Sequence, residues 1–426
     1  MHGSNNSDIL DAAVNVNDGG VPGITAVVFD KTGTELFLHS AGTRGLSASA
    51  SSPAAEPMTP EHVFWIASCT KMVTALCVMQ LVERGRLALD DADQLEALCP
   101  ELRDVQVLRD GDGVLEPKRS RITLRMLLTH TAGFGYTLAS EKLRDHGLPV
   151  GIDEFSGRAG AVNTPLIFHP GEGWEYGVGV DWAGIALERL TGVSLNVYMQ
   201  THICEPLGLE SVNMIPTPSM KANLAYMNQR DAQGKVHPRN HFYRQPLVIE
   251  TEEEKAQLFN SGGAGLFAKP QEYCRASPPP PPELPGILAV LLNDGACPVT
   301  GVRLVSARTV ADMFTNHIPQ FPDFGRQGLA AAKPELTNPA PCLDPGAAPD
   351  APQGWGLSFM LSGGATGRSE GTAWWASMAN VFWWADCENG VGGMVCAQVL
   401  PFIDAKVVGA WTALETAVYA ALHEVK

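Results

Sequence analysis

The chain has 426 residues, 45% of them hydrophobic and 18% charged, a composition that excludes intrinsic disorder. That length exceeds the usual size of one compact core and predicts two structural lobes. The formal charge of −16, with no long basic run, excludes nucleic acid as a partner, because phosphate backbones demand clustered lysine and arginine.

Residues 1–16 are polar, carrying Asn5, Asn6, Asp8 and Asp11, and lack the basic start and apolar stretch of a secretory signal. No apolar run downstream reaches the length of a membrane span. Nine cysteines are scattered from Cys69 to Cys396 without a C-x-x-C pair or zinc spacing. They read as small buried hydrophobes in a reducing compartment, so the expectation is a cytoplasmic protein with no metal and no cofactor.

Residues 21–29 (VPGITAVVF) and 35–39 are β-rich runs separated by the turn-like Asp30, Lys31, Thr32 and Gly33, the first antiparallel pair of a sheet. Residues 45–60, rich in Ser, Ala and Pro, read as a loop. A helix is predicted over 64–84, with Val73, Leu76, Cys77, Gln80 and Leu81 at helical spacing and Gly85 as its stop. From 89 to 260 the pattern is helices joined by loops, including 122–130, 181–190 and 196–203. Strand-like runs return at 356–361, 371–375, 380–385 and 393–400. The chain closes on an amphipathic helix whose Trp411, Leu414, Val418 and Leu422 share a face. Strands at both ends predict a sheet lobe from residues 1–88 and 262–426, a mainly helical lobe from 89–261, and a cleft between them. Two segments resist assignment: the five prolines at 278–282, and the Pro-, Ala- and Gly-rich stretch 321–352.

The single S-x-x-K of the chain is Ser68-Cys69-Thr70-Lys71, at the start of the predicted helix. Positions i and i+3 share a helix face, so Ser68 Oγ and Lys71 Nζ can meet. Free N–H groups at a helix start favour a developing anion, and its positive end lowers a nearby lysine's pKa. A lysine near pKa ~10.4 is a poor base at neutral pH, so the chemistry requires burial. The alternative is a serine cap beside a solvated lysine; apolar Phe64, Trp65, Ile66 and Ala67 just upstream weigh against it. Ser369 sits in a rival G-x-S-x-G (367–371), but a nucleophile elbow needs a strand before it and a helix after it. Here a glycine-rich loop precedes the serine and a strand-like run follows, which marks it as a decoy.

Five segments in order, 64–71 (FWIASCTK), 122–133 (ITLRMLLTHTAG), 176–184 (YGVGVDWAG), 261–266 (SGGAGL) and 375–380 (WASMAN), resemble the serine β-lactamase superfamily. The likeness is to its class C-like esterases (family VIII carboxylesterases), and most to acyltransferases of the lovastatin type. It runs from about residue 20 to the C-terminus. The resemblance implies an α+β fold of the β-lactamase/transpeptidase type, an antiparallel sheet flanked by helices with an inserted helical lobe. It implies Ser68 as acylated nucleophile, Lys71 as base and Tyr176 as proton carrier, its phenolate stabilised by a cationic Lys71. The oxyanion hole would be the backbone N–H groups of Ser68 and Met378.

The departures shape the substrate. Val178 stands where β-lactamases have Asn, and Trp375-Ala376-Ser377 replaces Lys-Thr-Gly, removing the cation that holds a substrate carboxylate. Neutral small-molecule esters or thioesters, with water or an alcohol as acceptor, are therefore expected, and Trp375, Ala376, Ser377, Phe134 and Tyr136 are the candidate substrate contacts. Trp374, Trp375, Trp383 and Trp384 suit either an apolar acyl group or plain sheet core. The five prolines interrupt a helix the resemblance would place there. His130 reads as structural, Cys69 as core, and Asp90, Asp91 and Asp181 as caps or surface groups. Hydrolase and acyltransferase stay open, as do a penicillin-recognising protein or β-lactamase and a non-catalytic binding protein of this fold.

Overall fold

The computed structural model describes residues 4–46, 56–111, 113–274, 286–344 and 350–425; the five prolines lie outside them. Its centre is a seven-stranded antiparallel sheet: β1 (Gly23–Asp30), β2 (Glu35–Gly42), β3 (Gln353–Trp355), β4 (Met360–Ser362), β5 (Ala373–Ser377), β6 (Val381–Asp386) and β7 (Val391–Cys396), ordered β3-β4-β5-β6-β7-β1-β2. β1 and β2 form a hairpin in which Asp30 Oδ1 accepts the N–H groups of Thr32 and Thr34, an Asx-type turn completed by Gly33 at φ +84°. Residues from both ends of the chain thus share one sheet, with β7 paired to β1 from Thr25↔Cys396 to Asp30↔Val391.

Helices cover both faces, which is why β5, β6 and β7 are buried throughout rather than alternating. On one face lie α1 (Ser4–Ala13) and the C-terminal helix α4 (Ala405–Val425), whose Trp411 stacks on Phe382 at 4.6 Å and packs on Trp374 at 5.4 Å. On the other lie α2 (Thr70–Glu83) and the short helices Pro270–Cys274 and Ile287–Leu292. Trp383 and Trp384 are fully buried sheet core. Each such aromatic removes 150–250 Å² from water, on the order of 4–6 kcal/mol as an upper bound.

The predicted helix over 64–84 is three elements. Phe64–Trp65 is a strand paired with Phe267–Ala268, Ala67–Cys69 is a turn of 3-10 helix, and only Thr70–Glu83 is α-helix. A short apolar run reads alike as buried strand or buried helix, and here pairing with 267–268 decides. α2 is buried on every side from Thr70 to Leu81, enclosed by its neighbours, and Gly85 (φ +65°) follows its end.

Between 89 and 260 the helices include Leu124–Leu128, capped by Thr123, and α3 (Gly179–Thr191), which ends at left-handed Gly192. The run 195–204 is α-helix for Leu195–Met199 and a π-turn for Gln200–Cys204. Short strands also occur among these helices, Gln106–Leu108 with Leu115–Pro117 and Asn228–Arg230 with Val236–Pro238. Two late runs are split as well: 356–361 is strand only from residue 360, where β4 begins, and 393–400 divides into β7 and Val399–Leu400.

Candidate active site

Ser68 lies on the 3-10 turn just ahead of α2, directly after Ala67, whose φ of +39° is strained for a residue with a Cβ. Such strain persists only where surrounding structure enforces it, and Ala67 is fully buried. The turn aims Ser68 toward the first turn of α2, where Lys71 is enclosed without solvent exposure. Lys71 Nζ is 3.4 Å from Ser68 Oγ, 3.1 Å from the Tyr136 hydroxyl and 2.8 Å from the Gly263 carbonyl oxygen. Burial pulls the lysine's pKa from 10.5 down to about 7, with the negative charge of Asp181 opposing the fall. A neutral amine has two N–H groups and one lone pair. Gly263 and Tyr136 take the donors, and the lone pair is left for the Ser68 proton.

Tyr176 completes the cluster. Its hydroxyl accepts from Trp375 Nε1 at 2.9 Å, and its ring lies 4.6 Å from Lys71 Nζ and 4.9 Å from the Trp375 ring. Burial raises its pKa above the ordinary phenol value, with hydrogen bonds to Ser68 and Trp375 pulling the other way. That rise favours the protonated phenol, whereas the resemblance implies a phenolate held by a cationic Lys71.

Asp181, read from sequence as a cap or surface group, is 2% exposed in the first turn of α3. Its Oδ1 accepts from Ser261 Oγ at 2.6 Å and from Gly263 N–H at 3.0 Å. It thereby holds the peptide whose carbonyl receives Lys71. A Cβ at position 263 would lie 2.3 Å from Asp181 Oδ2, so only glycine fits. The carboxylate five residues after Tyr176 and the Ser-Gly-Gly run were both visible in the sequence; their contact was not.

The remaining candidates separate cleanly. His130 Nδ1 accepts from Gly177 N–H at 3.3 Å, its ring packs 4.6 Å from Tyr176, and burial and nearby Lys71 lower its pKa. It braces the tyrosine and makes no hydrogen bond to Ser68. The Cys69 thiol is buried with its pKa raised by burial. Ser369 Oγ donates to Asp386 Oδ1 at 2.8 Å and serves a turn.

Ser68, Tyr136, Tyr176, Trp374, Trp375, Ala376 and Met378 line one cavity of about 180 Å³. Two expected contacts fail. Phe134 is 2% exposed and packs against Trp182 behind the cavity wall, while Ser377 is 1% exposed with its side chain turned to Cys69. Met378 follows the end of β5, which packs on the Ser68 turn. The turn bonds there run from Cys69 N to Ile66 O and from Asn380 N to Ser377 O.

Known proteins share the chain's sequence family and its fold. The family model described as Beta-lactamase matches residues 10–417. The acyltransferase calJ of Penicillium decumbens is 28% identical over 89% of this chain and 85% of its own. Lovastatin esterase of Penicillium rubens is 28% identical over 91% of each chain. A simvastatin synthase mutant from Aspergillus terreus superposes with a TM-score of 0.77 at 26% identity, covering 98% of this chain and 97% of its own.

Proposed function

The chain belongs to the β-lactamase family, and on that premise we propose that it transfers acyl groups from neutral esters or thioesters through an acyl-enzyme on Ser68. The observation that carries this reading is a fully buried Lys71 with a pKa of about 7, 3.4 Å from Ser68 Oγ. Neutral Lys71 takes the serine proton as Oγ bonds to the carbonyl carbon. The backbone N–H groups of Ser68 and Met378 receive the oxyanion, worth about 10²–10³ in rate per donor. Tyr176 donates its proton to the departing alcohol or thiol and is reprotonated through Lys71. Water or an alcohol then reverses the steps and releases the acyl group.

With Trp375-Ala376-Ser377 in the third motif, no cation among the described residues lines the cavity to hold a substrate carboxylate, which favours neutral esters over penicillins. Relatives named as acyltransferases and as an esterase support both outcomes of the second half-reaction. Nine cysteines in no disulfide among the described residues, seven of them buried, support a reducing, cytoplasmic setting. The test is intact-mass spectrometry after incubation with a short p-nitrophenyl ester, wild type against Ser68→Ala. An adduct only on wild type is expected; faster discharge by added alcohols than by water marks a transferase. An adduct persisting in Ser68→Ala, or a chromogenic cephalosporin turned over far faster than esters, would overturn the reading.

A further inference from the structure

The cavity over Ser68 continues past the catalytic cluster. β4 pairs with β5 only at Ala373 and Trp374, so beyond that point β5 has a free edge facing the cavity. Around this edge the space reaches the opposite face of the sheet, where Trp374, Phe382 and Trp411 of α4, none more than 3% exposed, form its far wall. Val408 and Phe402 flank that wall, and residues 329 and 339–343 roof it.

The roof is a built structure. Leu329 and Ala340 exchange backbone hydrogen bonds at 2.9 and 3.1 Å, and Asn338 Nδ2 donates to the carbonyls of Phe402 and Ile403. At its end Asp344 pairs with buried Arg368, whose guanidinium lies 4.8 Å over the Trp374 ring and braces the wall from behind. Among the described residues no charged side chain lines the slot. The indole N–H groups of Trp374 and Trp375 are committed to Ser362 and Tyr176, and that of Trp411 is buried without an acceptor among the described residues.

The two halves of an ester have different needs. The leaving alcohol departs and the acceptor arrives along one line, so that half requires an open path. The acyl half stays bonded to the serine throughout and is the half that a closed-ended slot can hold. We propose that the slot behind β5 receives an uncharged aliphatic acyl chain, and that Val408 and Trp411 set the length it accepts. This rests on Ser68 being the acylated residue.

The test is kcat/KM for p-nitrophenyl acetate, butanoate, hexanoate and octanoate, with mono-p-nitrophenyl adipate as a chain ending in a carboxylate. Wild type is expected to gain about fourfold for each methylene seated, until the slot is full, and to discriminate strongly against the adipate relative to hexanoate. Val408→Phe should lower the octanoate-to-acetate ratio at least tenfold, and Val408→Ala should raise it. Opposite shifts from one position cannot arise from damage to the fold. Equal factors on all esters in both variants, or adipate used as well as hexanoate, would overturn the slot while leaving Ser68 chemistry standing. Wild type that turns over none of the esters and carries no adduct would overturn both.

Discussion

Asp181→Asn isolates a single charge beneath Lys71. Both hydrogen bonds to this side chain, from Ser261 Oγ and Gly263 N–H, end on Oδ1, so the asparagine carbonyl oxygen can keep them. What disappears is the negative charge that raises the Lys71 pKa against burial. An opposite charge within about 4–6 Å moves a pKa by about 1–3, and with Gly263 between the groups the low end applies, about one pH unit. Activity needs neutral Lys71, so kcat/KM for a neutral ester should rise with pH through about 7 in wild type. In the variant the rising limb should move down, toward about 6. At pH 6 the neutral fraction then grows from about one tenth to about one half, a gain of about fivefold, while rates near pH 8.5 stay alike. The assay is a pH profile of kcat/KM with an ester that does not titrate. A limb that stays put or moves up would refute the electrostatic role, and a uniform loss at every pH would reduce Asp181 to a structural brace.

Lys71→Met should stabilise the protein, because the buried lysine is held for chemistry at the expense of folding. The folded lysine releases its proton at about 7 and the unfolded chain near 10.5, a ceiling of about 5 kcal/mol against the fold below pH 7. Between those values the unfolded chain binds more protons, so wild-type stability rises with pH; denaturant unfolding should show the gap to Lys71→Met closing toward pH 10. A variant no more stable than wild type at pH 7 would contradict a neutral, desolvated Lys71. Tyr176→Phe should cost about 10²–10³ in kcat/KM with alkyl esters and much less with p-nitrophenyl esters, whose leaving group departs unprotonated. Equal losses on both would remove the tyrosine from proton transfer. Ser369→Ala should leave ester turnover within about twofold and lower stability by about 1 kcal/mol through its lost bond to Asp386. Loss of turnover there would move the nucleophile to the other serine motif.

The contrast between Ser68 and Ser369 shows how far local pattern reaches. A spacing of three positions from a serine to a lysine fixes their separation along any helical turn, so the meeting of Ser68 and Lys71 was legible in the chain. The elbow reading of Ser369 failed on its flanks, which were equally local. Boundaries were less legible: residues 64–65 became a strand because Phe267–Ala268 lies beside them, a pairing across some 200 positions that no window contains.

Local pattern therefore determined the first strand pair, the Ser68–Lys71 contact and the uncharged third motif, since hydrophobic alternation, short motif spacing and missing cations are properties of neighbours in sequence. Tertiary structure alone decided what surrounds those groups. It buried Asp181 against Gly263, turned Phe134 and Ser377 away from the cavity, and drew the cavity around the free edge of β5 to Trp411. The physical reason is that burial, and with it the pKa of Lys71 and the shape of the slot, is set by segments distant in the chain that share one core.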